Sequence, residues 1–132
     1  MHARMHVRFP LVAVSLLLAA CSSLPTTSLP GGEARLHVVL FWLKPDMPAA
    51  ERAAMPAAIR EKGMQVPGVD SIWVGQPAGT PRAVVDNSYD LMVVMRFQDA
   101  AALTAWEPHP LHQELLARFG PHVAKIQVYD GK

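Results

Sequence analysis

Two segments of this chain are apolar on both faces if they form strands. The first, Leu36–Leu43, has His37, Val39, Phe41 and Leu43 on one face and Leu36, Val38, Leu40 and Trp42 on the other. The second has Leu91, Val93, Met95 and Phe97 on one face and Met92 and Val94 on the other. An antiparallel sheet with one face in water alternates apolar and polar residues. These two strands therefore predict a sheet that is covered on both sides.

The rest of the chain predicts an alternation of strands and helices. In chain order we expect a strand at Leu36–Leu43, a helix at Ala49–Lys62, strands at Val69–Val74 and Tyr89–Phe97, helices from Asp99 to Trp106 and from Pro110 to Phe119, and a strand at Val123–Asp130. Asp46 and Asp99 are placed to cap helices, whereas Pro56 is expected to kink or split the first helix. The order βαββαβ is typical of the ferredoxin-like α+β fold, with a four-stranded antiparallel sheet and its helices on one face.

Helices on one face leave the second apolar face of this sheet uncovered. Exposed apolar patches of more than a few hundred Å² usually mark an interface. A second copy of the same sheet is the simplest cover, which predicts a homodimer with a two-fold axis through the sheet face. The alternative is a monomer that covers this face with its own loop or C-terminus.

The first 20 residues have the pattern of a secretory signal peptide. Met1–Phe9 contains Arg4 and Arg8 and no acidic residue, and Leu11–Ala20 is an uncharged apolar stretch. That stretch is too short to span a bilayer, which requires about 20 apolar residues. An N-terminal core helix is the alternative, disfavoured because Ser- and Pro-rich sequence follows.

The end of this segment, Leu18-Ala19-Ala20-Cys21, resembles the bacterial lipobox, in which the cysteine is lipidated and becomes the mature N-terminus. The resemblance implies anchoring to the cell envelope membrane through Cys21. Ser22 implies the outer membrane, on its periplasmic side, if the cell is Gram-negative. We therefore divide the chain into a signal peptide (1–20), a lipidated cysteine with a flexible tether (21–34) and a folded domain (35–132).

Composition excludes several classes of function. The formal net charge is only +1, whereas a nucleic-acid-binding protein carries a clustered basic excess. The single cysteine excludes a disulfide framework. Four histidines (37, 109, 112 and 122) could supply imidazoles, but there is no H-E-x-x-H motif and no suitably spaced acidic ligand. We therefore expect no nucleic-acid partner, no metal and no cofactor.

Five short motifs occur in an order that identifies a family. They are His37-Val38-Val39-Leu40-Phe41 followed by Lys44-Pro45, then Val66-Pro67-Gly68-Val69, Tyr89-Asp90-Leu91, Phe97-Gln98-Asp99 and His109-Pro110-Leu111-His112. The set resembles the stress-responsive A/B barrel (Dabb) family over residues 36–130, and the last motif matches its H-P-x-H signature. The resemblance implies a ferredoxin-like subunit that dimerises through its sheets into an α+β barrel. Most of the family has no assigned activity; one member is a plant polyketide cyclase.

His112 is the main candidate for chemistry. It shares a helical arc with Leu115, Leu116 and Phe119, so we expect its imidazole to face the sheet. A neutral ring in that position can act as a general base. In the cyclase, the second histidine of H-P-x-H is the catalytic base, and the resemblance implies the same role for His112. The alternative is a structural histidine bonded to a backbone carbonyl.

The resemblance also implies that His37 lines the internal cavity, where it is the second catalytic candidate. The alternative for His37 is a strand-end residue bonded to the backbone. At Trp106 the cyclase has a tyrosine; an indole offers only an N–H donor, so the cyclase's catalytic pair is not reproduced. We expect His109 to cap the helix that follows it. The candidate ligand contacts are Trp106, Phe41, Trp42 and Trp73.

The favoured function is an exported, lipid-anchored homodimer that binds a small hydrophobic or aromatic molecule in an apolar cavity. The alternative is a cofactor-free enzyme of the cyclase, aldol or isomerase type. In that enzyme His112 would remove a proton from a carbonyl-activated carbon, while His37 or Trp106 polarises the oxygen. A second alternative is an envelope module that binds another protein.

Overall fold

The structure is a computed structural model that describes residues 32–132. The signal peptide, the lipidation site at Cys21 and nearly all of the tether lie outside these residues. Within them, no helix has the length and apolar character that crossing a membrane requires.

The described chain has the βαββαβ order, with its second helical segment in two pieces. The elements are β1 (Arg35–Leu43), α1 (Ala49–Gly63), β2 (Val69–Gly75), β3 (Leu91–Phe97), α2 (Ala100–Trp106), α3 (Pro110–Phe119), a short 3-10 turn (Gly120–His122) and β4 (Val123–Gly131). The strands form one antiparallel sheet in the order β2-β3-β1-β4. The predicted ferredoxin-like fold is confirmed.

The hydrophobic core lies between the helices and one face of the sheet. Val39 of β1 and Val93, Met95 and Phe97 of β3 are buried on this face, and Phe97 is fully inaccessible. The helices contribute Met55 and Ile59 from α1, Trp106 from α2, and Leu115 and Phe119 from α3. Alternation along β1 and β3 therefore directs one apolar set of side chains toward the helices.

The opposite face carries the second apolar set and no helix of the described chain covers it. We call this surface the open face; it comprises Leu36, Val38, Leu40, Trp42, Trp73, Met92, Val94 and Tyr129. Leu36 is 47% exposed, Trp73 53% and Tyr129 58%. The two apolar faces predicted from the sequence are therefore present, and the loop between β2 and β3 does not seal the second one.

Two helix starts agree with their predicted signals. Asp99 accepts a hydrogen bond from the backbone N–H of Ala102 at 2.8 Å and caps α2. His109 caps α3, because its Nδ1 accepts from the N–H of Leu111 at 3.2 Å. The predicted cap by His109 is thus confirmed.

One prediction about α1 is wrong, and of the kink or split expected at Pro56 the split does not occur. Asp46 does not cap it; the N-cap is Pro48, because the chain first turns through Lys44–Met47, where the N–H of Met47 donates to the carbonyl of Lys44. Pro56 does not split the helix, which is continuous from Ala49 to Gly63. A proline deletes one backbone donor, and the buried side chains on either side, Met55 and Ile59, hold the helix against the sheet.

Candidate functional site

A pocket of about 780 Å³ lies between α3 and the helix-facing side of the sheet. Its floor is formed by β1, β3 and β4, and its roof by α3 with contributions from α1 and α2. Most of the lining is apolar, and the polar exceptions include His37, His112, Gln113 and Asp130. A mostly apolar cavity with a few convergent polar groups is the usual form of a small-molecule site.

The structure brings together four of the six residues predicted to form the site. His37, Phe41, Trp106 and His112 all line the pocket. They come from β1, the end of α2 and the first turn of α3, so the fold rather than sequence proximity assembles them.

Trp42 and Trp73 do not lie in the pocket. Both belong to the open face, because strand alternation directs Trp42 away from Phe41, and Trp73 pairs in register with Val94. Trp42 Nε1 donates to Ser88 Oγ at 3.2 Å, and Lys125 Nζ sits 4.0 Å from its ring centroid. A ligand in the pocket would therefore not contact either indole.

His112 is half-buried and held in one orientation. Its Nδ1 lies 2.9 Å from the backbone carbonyl oxygen of Glu107. A carbonyl only accepts, so Nδ1 carries the proton in the neutral ring and Nε2 keeps the lone pair. The ring also stacks on Trp106, with centroids 4.4 Å apart and an interplanar angle of 30°. The neighbouring Leu116 is 44% exposed, so the helical arc reaches the pocket mouth instead of lying wholly in the core.

His37 is oriented by the carboxylate of Asp130, which was not among the predicted site residues. Its Nδ1 lies 2.6 Å from Asp130 Oδ1, and its side chain is only 13% exposed. His37 and Asp130 are opposite each other in the β1–β4 register. An ionised carboxylate is also an acceptor only, so in the neutral ring Nδ1 carries the proton and Nε2 is the acceptor.

Asp130 had a detectable signal in the sequence. It follows Ile126 and Val128 at alternate positions of β4, which places a carboxylate on the face that is otherwise apolar. Asp130 is 54% exposed, and its partner is the largely buried His37. The identity of that partner depends on the register between two strands 93 residues apart.

Aromatic rings of the core connect the two histidines. His37 meets the edge of Phe97 at a centroid distance of 6.3 Å, and Phe97 lies 6.3 Å from Trp106. Trp106 is 3% exposed and stacks on His112. Since the rings pack against the core, both imidazoles are attached to a rigid part of the fold.

Three apolar side chains that line the pocket are exposed at its mouth. They are Leu116 of α3, which is 44% exposed, and Ile126 and Val128 of β4, which are 50% and 40% exposed. The part of the chain described here contains no group of three or more His, Cys, Asp or Glu side chains arranged to hold a metal ion. The pocket can take up an apolar molecule and offer it two hydrogen-bond acceptors, the Nε2 atoms of His37 and His112.

A protein-family model matches the folded domain. The model described as Stress responsive A/B Barrel Domain matches residues 36–132. A comparison with curated proteins gave no match.

Several solved structures share the fold. A dimeric ferredoxin-like protein of unknown function from Thermobifida fusca is 20% identical, with a TM-score of 0.65 over 76% of this chain and 91% of that chain. A Dabb family protein from Mesorhizobium loti is 23% identical, with a TM-score of 0.61 over 75% and 95%. The hydroxynitrile lyase from Passiflora edulis is 17% identical, with a TM-score of 0.66 over 75% and 92%. At these identities the likeness establishes the fold.

Proposed function

We propose, given that this chain belongs to the Stress responsive A/B Barrel Domain family, that it binds a small hydrophobic or aromatic molecule in the pocket beneath α3. The observation that carries the proposal is the pocket itself, whose volume of about 780 Å³ matches cavities that hold small ligands. Its aromatic wall, formed by Phe41, Trp106 and Phe119, suits a flat apolar molecule.

The binding proposal is tested with N-phenylnaphthylamine, a neutral dye that fluoresces in apolar surroundings. We expect saturable binding to the full chain. Leu116→Asp places a charge at the pocket mouth and should weaken binding about fivefold or more, because a carboxylate disfavours an apolar ligand. Val84→Asp is the matched control, since Val84 is 82% exposed in the β2–β3 loop and does not line the pocket. Equal affinity of the two variants would count against the pocket as the binding site.

The second part of the proposal is a homodimer formed through the open face. The support is the apolar character of this face, on which Trp73 and Tyr129 are more than half exposed. Proteins with the same fold, from Thermobifida fusca and Bacteroides fragilis, are described as dimeric. Pairing two open faces would remove this apolar surface from water while leaving both pockets on the helical side.

The third part is export and lipid anchoring in the bacterial cell envelope. Its support is the sequence Leu18-Ala19-Ala20-Cys21 behind an apolar leader. The measurement is incorporation of labelled palmitate and recovery of the chain in the membrane fraction, with Cys21→Ser as the variant. Unchanged labelling and membrane retention in Cys21→Ser would refute this part alone.

A second candidate function is a cofactor-free enzyme, favoured by the free Nε2 of His112 in the pocket. In this reaction Nε2 takes a proton from a carbon next to a carbonyl, and the electron pair of the broken C–H bond moves to the carbonyl oxygen as an enolate. The indole N–H of Trp106 is a donor for that oxygen. One solved structure of this fold is described as a hydroxynitrile lyase, which is an enzyme.

The enzyme candidate is tested by deuterium exchange at the acidic carbon of indanone in deuterium oxide. Wild type should accelerate exchange and His112→Gln should not. His122→Gln serves as the control, because His122 does not line the pocket. Equal exchange rates with and without protein would leave binding as the function.

A further inference from the structure

The two pocket histidines present the same hydrogen-bonding character to a ligand. The Nδ1 of His112 donates to the carbonyl of Glu107, and the Nδ1 of His37 donates to the carboxylate of Asp130. Both partners are acceptors only, so each neutral ring is left with its lone pair on Nε2. With both rings neutral, the pocket thus contains two imidazole nitrogens that accept and do not donate.

Both of these nitrogens are accessible. Neither Nε2 has a hydrogen-bond partner among residues 32–132. In these residues, every inaccessible side-chain nitrogen or oxygen of a buried or half-buried residue has a hydrogen-bond partner. The two Nε2 atoms have no partner, so they are not inaccessible. Since His37 and His112 line the pocket, their lone pairs are available to a molecule inside it.

Trp106 supplies the complementary group. Its indole Nε1–H can only donate. Within residues 32–132 this N–H makes no hydrogen bond. Trp106 is only 3% exposed, but its nitrogen is still accessible to solvent. The rings of Trp106 and His112 are in contact, so a ring that carries a donor and a ring that carries an acceptor adjoin in the pocket wall.

From this arrangement we infer that the pocket selects an apolar molecule carrying a hydroxyl group, an inference that rests on the proposed ligand-binding function. A hydroxyl donates its O–H to an imidazole Nε2 and accepts from the indole N–H. Ethers, ketones and carboxylates have no hydrogen to donate and would leave the imidazole lone pairs unpaired. An unpaired polar group in a desolvated site costs more than a hydrogen bond gains.

The test compares two probes with one ring system, naphthol and the corresponding methoxynaphthalene. The ether keeps the aromatic surface and the oxygen but lacks the O–H. Each probe displaces N-phenylnaphthylamine from the full chain. We expect naphthol to bind about three- to tenfold more tightly than the ether, which is the usual contribution of one hydrogen bond.

His112→Phe assigns the acceptor, because a phenyl ring can keep the stack on Trp106 while removing Nε2. His37→Phe tests the other acceptor in the same way. The variant that removes the nitrogen receiving the O–H should reduce the naphthol preference toward unity without abolishing ether binding. His122→Phe is the matched control and should retain the preference. Equal affinities of the two probes in wild type, or a preference that survives both pocket variants, would overturn the inference. Failure of both probes to bind would instead overturn the proposed function.

Discussion

At the scale of single residues, Gly68 is the position at which the fold depends most on the absence of a side chain. It adopts φ +88 in the turn before β2, and a Cβ there would lie 2.5 Å from the Cβ of Ala102 in α2. Gly68→Ala therefore causes both backbone strain and a clash with α2. We expect it to lower the free energy of unfolding by about 2–4 kcal/mol, measured by urea denaturation at fixed protein concentration.

Two other glycines separate the contributions of backbone and packing. Gly79 also has positive φ, at +71, but has open space around its Cβ position, so Gly79→Ala should cost about 1 kcal/mol. Gly120 has φ −52 and open space, so Gly120→Ala should change stability by less than about 0.5 kcal/mol. If Gly68→Ala cost no more than Gly79→Ala, the contact with α2 would not be a constraint.

The positions of individual site residues were predictable where strand or helix periodicity alone determines which way a side chain faces. His37 and Phe41 share a strand face, and His112 lies on the inward arc of α3, so their placement in the pocket follows from local sequence. The same alternation places Trp42 on the opposite face, where a ligand in the pocket does not reach. The pairing of His37 with Asp130 was not predictable, because it depends on which residues of β1 and β4 are opposite each other.

At the scale of single elements, Pro56 leaves α1 continuous but costs it one backbone hydrogen bond. Pro56→Ala restores the N–H that the carbonyl of Arg52 lacks, and should raise the free energy of unfolding by about 1–3 kcal/mol. Pro110 is the control, because it is at the first position of α3, where no acceptor awaits an N–H. Pro110→Ala should lower stability by up to about 1 kcal/mol through a freer unfolded chain. A loss of stability in Pro56→Ala would show that the ring contributes more by packing than it costs.

Helices α1 and α3 are joined by an ion pair whose contribution depends on pH. Arg118 donates from Nε and Nη2 to the two carboxylate oxygens of Glu51, at 2.7 and 3.1 Å. These hydrogen bonds lower the pKa of Glu51 below its ordinary value of 4.5 and raise the pKa of Arg118. A carboxyl group with a lower pKa in the folded state stabilises the fold above its unfolded pKa, and this stabilisation is lost as pH falls through the folded value.

We therefore expect Glu51→Gln to be slightly less stable than wild type at neutral pH, and the difference to disappear as the pH is lowered below 4.5. The effect is small because both side chains are in contact with water. The measurement is the difference in free energy of unfolding between the two proteins across this range. Glu61→Gln on the same helix is the control, since Glu61 forms no ion pair within residues 32–132. A difference that is constant with pH would exclude ionisation of Glu51 as its cause.

The elements themselves were predictable where the signal was local. Asp99 and Pro110 mark the starts of α2 and α3, because a cap and an N-terminal proline act on the backbone next to them. The predicted cap at Asp46 was wrong because the turn before α1 moves the helix start to Pro48, and a side chain can cap only from the N-cap position. The effect of Pro56 was overestimated because helix propensity does not include the packing of Met55 and Ile59 in the core.

At the scale of the whole molecule, the sheet separates two apolar surfaces with different proposed occupants. The helix-facing side forms the pocket, and the open face on the other side is proposed to meet a second copy. The four strands are only one layer thick, so residues that are adjacent along a strand serve opposite surfaces. Substitutions of the same chemical type should therefore affect either assembly or ligand binding, according to the face on which they lie.

The pair Val94→Asp and Leu116→Asp tests this separation. Val94 lies at the centre of the open face, opposite Val38 and Trp73, whereas Leu116 is at the pocket mouth. We expect the wild-type full chain to sediment as a dimer at micromolar concentration. Val94→Asp should be a monomer that still binds N-phenylnaphthylamine, because a desolvated carboxylate at an interface opposes association. Leu116→Asp should remain a dimer and bind the dye weakly.

Trp73→Ala is a second open-face variant, in case Val94→Asp does not fold. Trp73 is 53% exposed, so its truncation leaves the helix-facing core intact. Large aromatic side chains dominate the energy of many interfaces, so this truncation alone should shift the dimer toward monomer. Circular dichroism and melting establish that both variants are folded. A monomeric wild type, or dimers of unchanged stability in both variants, would show that the open face is not the dimer interface. Loss of dye binding in a folded Val94→Asp monomer would show instead that the pocket depends on the partner subunit.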